Sequence, residues 1–247
     1  MISDQLIHDL RQIVGDAQVS VSRVETELYS YDASLAKGQP GVVVFPGNTD
    51  EAARVVKMTR QAGLPFVPRG FGTNLSGGTV MVSGGVVICL SRFNRIIEMS
   101  PQRRCAIVQP GVTNLELQNA LAPLGFFYAP DPASQKVATL GGNVGENSGG
   151  PRCLKYGVTT NHILGMEVIL SSGEVVRIGG CAYDPPGYDL RGALVGREGT
   201  MGIVTEVTVR ILPLPEQIHR HSEDGVLVLI EQVGECRAIQ THGPSGD

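Results

Sequence analysis

The stretch Pro68-Arg69-Gly70-Phe71-Gly72-Thr73-Asn74-Leu75-Ser76-Gly77-Gly78 constrains this chain more than any other. It follows the apolar run Leu64-Pro65-Phe66-Val67 and mixes four glycines with one Arg and several small hydrogen-bonding residues. Glycine reaches positive φ and lets a backbone lie close to a ligand. Successive N–H groups in such a turn form a concavity for anions, to which Thr73, Asn74 and Ser76 add side-chain donors. The stretch reads as a pyrophosphate cradle delivered by a strand. The dinucleotide fingerprint G-x-G-x-x-G must run into a helix. Here Leu75 stands where the third glycine belongs, and Ser76 to Gly84 is too glycine-rich for a helix. A different nucleotide-binding architecture is expected.

Composition agrees with a backbone-lined site. Glycine accounts for 32 of 247 residues, about twice the usual ~7 %, and charged residues for 18 % against a usual ~25 %. The formal net charge is −4 with no basic run, which excludes the electrostatic footprint of a nucleic-acid binder. Five cysteines (Cys89, Cys105, Cys153, Cys181, Cys236), odd in number and without a C-x-x-C pair, are expected as free thiols in a reducing compartment. With no signal pattern and no apolar span of ~18 residues, the expectation is a soluble, cytoplasmic protein.

Along the chain, residues 3 to 14 carry Leu6, Leu10, Ile13 and Val14 at helical spacing and stop at Gly15. Val42 to Phe45 reads as a buried strand. A helix follows, capped by Asn48 or Thr49 and ended by Gly63, and then the strand Leu64 to Pro68. Gly85 to Leu90, Arg95 to Met99 and Cys105 to Gln109 read as a meander of short strands. Thr113-Asn114-Leu115-Glu116 is a capping box opening a helix to Leu121. Ser171-Ser172-Gly173-Glu174 turns Ile163–Leu170 back onto Val175–Ile178 as a hairpin. Asp189 to Val195 is a short helix, and Ile203 to Leu212 a half-exposed strand. The fold class is α+β.

Two further glycine-rich segments follow. One runs Pro130-Asp131-Pro132-Ala133-Ser134, then Thr139-Leu140-Gly141-Gly142-Asn143-Val144-Gly145-Glu146-Asn147-Ser148-Gly149-Gly150. Six glycines between Gly141 and Gly157 predict neither helix nor strand, but backbone laid flat against a planar ligand. The other is Gly196-Arg197-Glu198-Gly199-Thr200-Met201-Gly202-Ile203-Val204, a turn entering a strand. Together with Pro151-Arg152 and Lys155-Tyr156-Gly157, these segments resemble the FAD-binding domain of the p-cresol methylhydroxylase/vanillyl-alcohol oxidase type. The nearest likeness is to the FAD-linked subunit of glycolate oxidase and the D-lactate dehydrogenases. The match spans about residues 38 to 215, in order.

The resemblance implies two α+β subdomains with FAD held between them. Residues 69 to 77, that is Arg69, Gly70, Phe71, Gly72, Thr73, Asn74 and on to Gly77, with Pro68 before them, would hold the pyrophosphate. Pro130, Asp131, Gly141, Gly142, Asn143 and Ser148 would line the pyrophosphate and isoalloxazine. Glu198, Gly199, Ile203 and Val204 would sit near the adenosine. Thr139, Asn147, Gly149, Tyr156, Gly157 and Gly202 complete the expected cofactor-binding set. Some relatives attach FAD covalently through a His where this chain has Thr73, so the resemblance implies noncovalent FAD. It also implies oxidation of a small 2-hydroxy acid, with electrons passed to a second subunit or iron–sulfur partner. No residue is assigned as catalytic base.

Each residue also has a plainer role open to it. Glu198 either meets the cofactor or braces its turn; Tyr156 packs beside the ring with its hydroxyl paired; Cys153 is structural rather than reactive. His219, His221 and His242 lack metal-ligand spacing, so no metal site is expected. The resemblance stops near Pro215. The chain divides into an N-terminal helical segment (1–37), the FAD-binding domain (38–215) and an atypical tail (216–247), expected to be truncated or out of frame. The family's C-terminal substrate domain is expected to have no counterpart in it. The alternatives are therefore a hydroxy-acid oxidoreductase subunit or an FAD-binding fragment without turnover. A UDP-sugar enolpyruvyl reductase of the same flavin fold fits the Gly141 to Tyr156 segment less well.

Overall fold

The computed structural model describes residues 2–181 and 187–215 in full and the backbone of 217–223 and 226–232. It divides into a first unit ending at Leu212 and a second beginning at Pro213. The first unit opens with α1 (Asp4–Val14), where the Ser3 side chain accepts the Leu6 N–H and Gly15, at φ +91°, ends the helix. Leu6, Leu10 and Val14 form its buried stripe. After β1 (Val19–Ser20) and the single turn α2 (Arg23–Glu27), a strand–helix–strand unit follows. In it, β2 (Val42–Val44) is wholly buried, and α3 (Thr49–Gln61) is capped by Asn48, which accepts the Glu51 N–H. The unit ends with β3 (Phe66–Arg69). β4 (Val86–Cys89) slots between β2 and β3, parallel to both, giving the sheet order β1-β2-β4-β3. The expected meander therefore loses its first member. β4 is buried at all four residues, as a strand covered on both faces must be.

A second sheet has the order β5-β6-β10-β8-β9 and is antiparallel throughout. Its strands are β5 (Ile96–Ser100), β6 (Cys105–Val108), β8 (Ile163–Ile169), β9 (Val175–Gly179) and β10 (Ile203–Arg210). Between β6 and β8 come α4 (Asn114–Leu121), opened by the Thr113/Glu116 capping box, and the two-residue strand β7 (Phe126–Phe127). The helices α5 (Leu140–Glu146) and α6 (Cys153–Tyr156) follow, and α7 (Leu190–Leu194) precedes β10. α5 and α6 correct the expectation that Gly141 to Gly157 is free of helix. Thr139 caps α5 by accepting the Gly142 N–H, and Leu140, Asn143 and Val144 supply a buried face. Packing of that face outweighs the poor helix propensity of glycine.

One apolar cluster joins α1, α3 and the parallel sheet, and it takes in Ile169 and Ile203 from the second sheet. A second fills the space between the antiparallel sheet, α4 and α5. A polar clasp also links them. Glu167 of β8 accepts the Thr49 hydroxyl of α3 and the Thr205 hydroxyl of β10, both at 2.8 Å. Arg177 of β9 bridges Glu167 at 2.7 Å and Glu206 at 3.2 Å. Residues 2 to 37 pack within this same unit.

Cys105 and Cys181 form a disulfide, which corrects the expectation of free thiols for these two, while Cys89 and Cys153 are free. In the second unit Gln217–Glu223 pairs antiparallel with Val226–Gln232. The side chains of His219, His221 and His242 lie outside the described residues. Among the described residues, no group of acidic, His or Cys side chains has a metal-holding arrangement, and no helix is long and apolar enough to cross a membrane.

Candidate functional site

A cavity of about 320 Å³ opens where the loop leaving β3 meets α5 and the turn before β10. The loop is fixed from behind. Arg69, buried in β3, gives Nη2 to the Tyr31 carbonyl at 2.7 Å and Nη1 to Thr79 Oγ1 at 3.4 Å. Its guanidinium also lies 5.5 Å from the Tyr29 ring centre. Burial pushes this guanidinium down, and the neighbouring Cys89 and Asp32 oppose the shift. Asn74 Nδ2 donates to Asp32 Oδ2 at 2.7 Å, its carbonyl accepts the Ala33 N–H, and its Oδ1 accepts the Thr79 hydroxyl. Burial raises Asp32, but hydrogen bonds from Ser34 and Asn74 and the charge of Arg69 outweigh it and hold the carboxyl below its usual range. Arg69 thus buttresses the loop from its N-terminal side.

The front of the loop is open. Among the described residues, the backbone N–H groups of Phe71 to Gly77 donate to no protein acceptor. Gly72 sits at φ +71° and Gly77 at φ +85°, the region glycine enters without strain. A Cβ at Gly70 would stand 2.6 Å from Thr139 Oγ1, so the loop is pressed onto the N-cap of α5. α5 in turn lies on Pro110, whose Cβ would be 2.6 Å from a Cβ at Gly141. The third segment closes the ring. Glu198, itself at φ +53°, gives its N–H to the Gly145 carbonyl, and its carboxylate fills the place of a Gly78 side chain. A non-glycine residue in the left-handed region is a strained position, held here by its surroundings.

Of the sequence-predicted residues, the wall is formed by Pro68, Arg69, Gly70, Phe71, Gly72, Thr73, Asn74, Thr139, Gly141, Gly142, Asn143, Ser148, Glu198, Gly199, Gly202 and Val204. Gly77, Pro130, Asp131, Asn147, Gly149, Tyr156, Gly157 and Ile203 stand off it. Several of these support the wall. The Pro130 carbonyl accepts Asn114 Nδ2 at 3.0 Å, and Asn143 Nδ2 donates to Asn114 Oδ1 at 2.8 Å. Asn147, left-handed at the end of α5, accepts both the N–H and the hydroxyl of Thr160 at 2.9 Å. Asp131 pairs with Arg152, Tyr156 packs edge-on against Phe127, and Ile203 is core. Cys153 Sγ accepts the Gly150 N–H, a structural position. His162 is buried and bonded through Nε2 to the Tyr156 carbonyl.

The cofactor set expected from the sequence left out Leu75, Gly78, Thr79, Leu90, Pro110, Ser134, Ala138, Val144, Gly145, Glu146, Leu194, Arg197 and Met201, which also line the cavity. Of these, Thr79, Leu90, Pro110, Ala138 and Leu194 carried no signal, while the others stand in the three quoted segments. Asn143 Oδ1 and the Tyr128 hydroxyl are buried without a well-formed hydrogen bond. They are near neighbours: burial pushes the Tyr128 phenol far up, and the Thr159 and Asn143 side chains offset that only in part. A glycine cradle with open amides fits a phosphate-bearing ligand.

The family comparisons name such a ligand. Residues 40–179 match the family model described as FAD binding domain. The chain is 44 % identical over 218 residues to the glycolate oxidase subunit GlcD of Bacillus subtilis, covering 87 % of this chain and 46 % of that protein. It is 35 % identical over 220 residues to a D-lactate dehydrogenase of Anaerostipes hadrus, covering 88 % and 46 %. The chain thus spans about half the length of these relatives. Among solved structures, p-cresol methylhydroxylase with substrate bound superposes with a TM-score of 0.75 at 23 % identity, over 89 % of this chain and 46 % of that one. The likeness extends to alkyldihydroxyacetonephosphate synthase, with a TM-score of 0.79 at 22 % identity over 88 % and 45 %. At these identities the structural likeness speaks for the fold.

Proposed function

This chain belongs to the FAD binding domain family, with FAD as its cofactor, and from that premise we propose that it is the cofactor-binding part of an oxidoreductase acting on a 2-hydroxy acid of the glycolate or D-lactate type. The observation that carries the proposal is the meeting of three separate glycine-rich segments on one cavity within the matched fold. The amides of Phe71 to Leu75 hold the pyrophosphate, where open N–H groups and the positive-φ Gly72 suit an anion. Gly141, Gly142, Asn143 and Ser148 border the isoalloxazine, with Pro130 and Asp131 behind them. Glu198, Gly199 and Val204 border the adenosine end, backed by Ile203. The chemistry FAD supplies when bound is acceptance of a hydride at N5 from the α-carbon of the hydroxy acid.

Electrons leave through a second subunit or an iron–sulfur partner. Thr73 offers no imidazole for a covalent flavin link, so the FAD is dissociable. Acid precipitation then leaves the flavin in the supernatant; yellow colour in the washed pellet would overturn that assignment. Purified protein loaded with FAD and mixed with D-lactate or glycolate plus a dye acceptor tests the activity. Bleaching of the flavin absorbance supports turnover by this chain. A bound flavin that stays oxidised favours the second reading, an FAD-binding fragment without turnover of its own.

A further inference from the structure

Two carboxylates share the cavity with the open amides, an unexpected arrangement for a site that takes a pyrophosphate. Glu146 and Glu198 both line it. Glu146 is the last residue of α5, among helix carbonyls that disfavour negative charge. Its carboxylate accepts the Ser76 hydroxyl at 2.9 and 3.0 Å, which ties it to the phosphate loop itself. Asp32 braces that loop from the other side through Asn74. Two cations also stand on the wall, but the charges that act on Glu146 are those of Glu198 and Asp32. Arg69 donates to the Tyr31 carbonyl and Arg197 Nε to the Ala193 carbonyl. An incoming diphosphate brings further negative charge to the loop that Ser76 ties to Glu146, in a partly enclosed space that holds Glu198 as well.

Resting on the FAD reading of this cavity, we propose that Glu146 takes up a proton when the pyrophosphate binds, so that cofactor affinity is set by pH through this one side chain. The direction follows from the surroundings. Burial raises Glu146, Glu198 and Asp32 raise it further, and the Ser76 hydrogen bond opposes them. A bound diphosphate adds like charge and raises it again. Proton uptake on binding means that affinity falls as pH climbs above the ordinary carboxylate range, by at most ~10-fold per pH unit for one proton. The pyrophosphate of FAD is a diester and stays fully ionised over this range, so the dependence belongs to the protein.

The test is the Kd of FAD, read from flavin fluorescence between about pH 5 and about pH 8, for the unsubstituted protein and for Glu146→Gln. Weakening of the unsubstituted protein's affinity by at least ~3-fold across that range, with a flat profile for Glu146→Gln, is the expected result. Riboflavin, which lacks the phosphates, serves as the control and binds without pH dependence. An unchanged slope in Glu146→Gln, or a flat profile in the unsubstituted protein, overturns the proposal while leaving the FAD site intact. Failure of FAD to bind at any pH overturns the cofactor reading itself. Calorimetry of FAD binding in buffers of different ionisation enthalpy counts the proton directly on the unsubstituted chain, so a variant that does not fold leaves the answer available. A count of zero refutes the coupling.

Discussion

The glycines of α5 provide a sharp internal contrast. At Gly141 an added methyl would stand 2.6 Å from Pro110 Cβ and 3.1 Å from the Pro110 carbonyl oxygen, and neither a proline ring nor backbone yields easily. At Gly145, in the same helix, the nearest atom is Glu198 Cα at 3.8 Å, an ordinary contact. Both substitutions to Ala gain about 0.5–1 kcal/mol from helix propensity and from a less free unfolded chain. Gly141→Ala must also displace α5 or Pro110, an overpacking penalty of about 1–3 kcal/mol. The expected net effects are a loss of up to about 2.5 kcal/mol for Gly141→Ala and a gain of about 0.5–1 kcal/mol for Gly145→Ala. For a chain of this size that is a Tm lower by up to about 10 °C in the first case and higher by about 1–4 °C in the second. Thermal melts followed by circular dichroism, with urea midpoints alongside, measure both. Equal stability of the two variants would refute the close approach of α5 to Pro110.

Two further effects follow from the structure. Thr139→Ala removes the cap of α5 and is expected to lower stability by about 1 kcal/mol in urea unfolding and to weaken FAD binding, whereas Thr139→Ser keeps both. Burial raises Glu167, but hydrogen bonds from Thr49 and Thr205 and the charge of Arg177 outweigh it and hold the carboxyl below its unfolded value. A depressed acid stabilises the fold above its unfolded pKa and loses that contribution as pH falls through the folded one. The urea midpoint therefore drops on acidification below the ordinary glutamate value of 4.5. Glu167→Gln lowers the midpoint at neutral pH and flattens that acid limb; an equally steep acid limb in the variant would exclude Glu167 as its source.

Where local signals dominate, the sequence was a good guide. The Ser3 cap with Gly15, the Asn48 cap and the Thr113/Glu116 box set three helices through side-chain bonds to their own first turns. Period and turn residues likewise set the β8–β9 hairpin. What escaped depends on distant partners. α5 is helical because Leu140 and Val144 find a core, which no count of its glycines reveals. β4 joins β2 and β3 rather than β5 because a parallel slot exists between them, and only topology creates it. The cavity wall shows the same division. Glycine-rich segments announced themselves, whereas Leu90, Pro110 and Leu194 are ordinary apolar residues made into lining by the fold. The Cys105–Cys181 pair, 76 residues apart, left no spacing signal.

Arg69 sets a limit on how this fold can be cut and transplanted. Its buried guanidinium rests on the Tyr31 carbonyl and the Tyr29 ring, and Asn74 rests on Asp32. A cofactor module excised at residue 38, where the glycine segments suggest a natural seam, would keep every cradle residue and lose what holds the cradle in place. The guanidinium would keep Thr79 but lose the Tyr31 carbonyl and the Tyr29 ring, and Asn74 would lose the Asp32 carboxylate. A portable flavin-binding unit must therefore carry Tyr29 to Asp32 with the cradle.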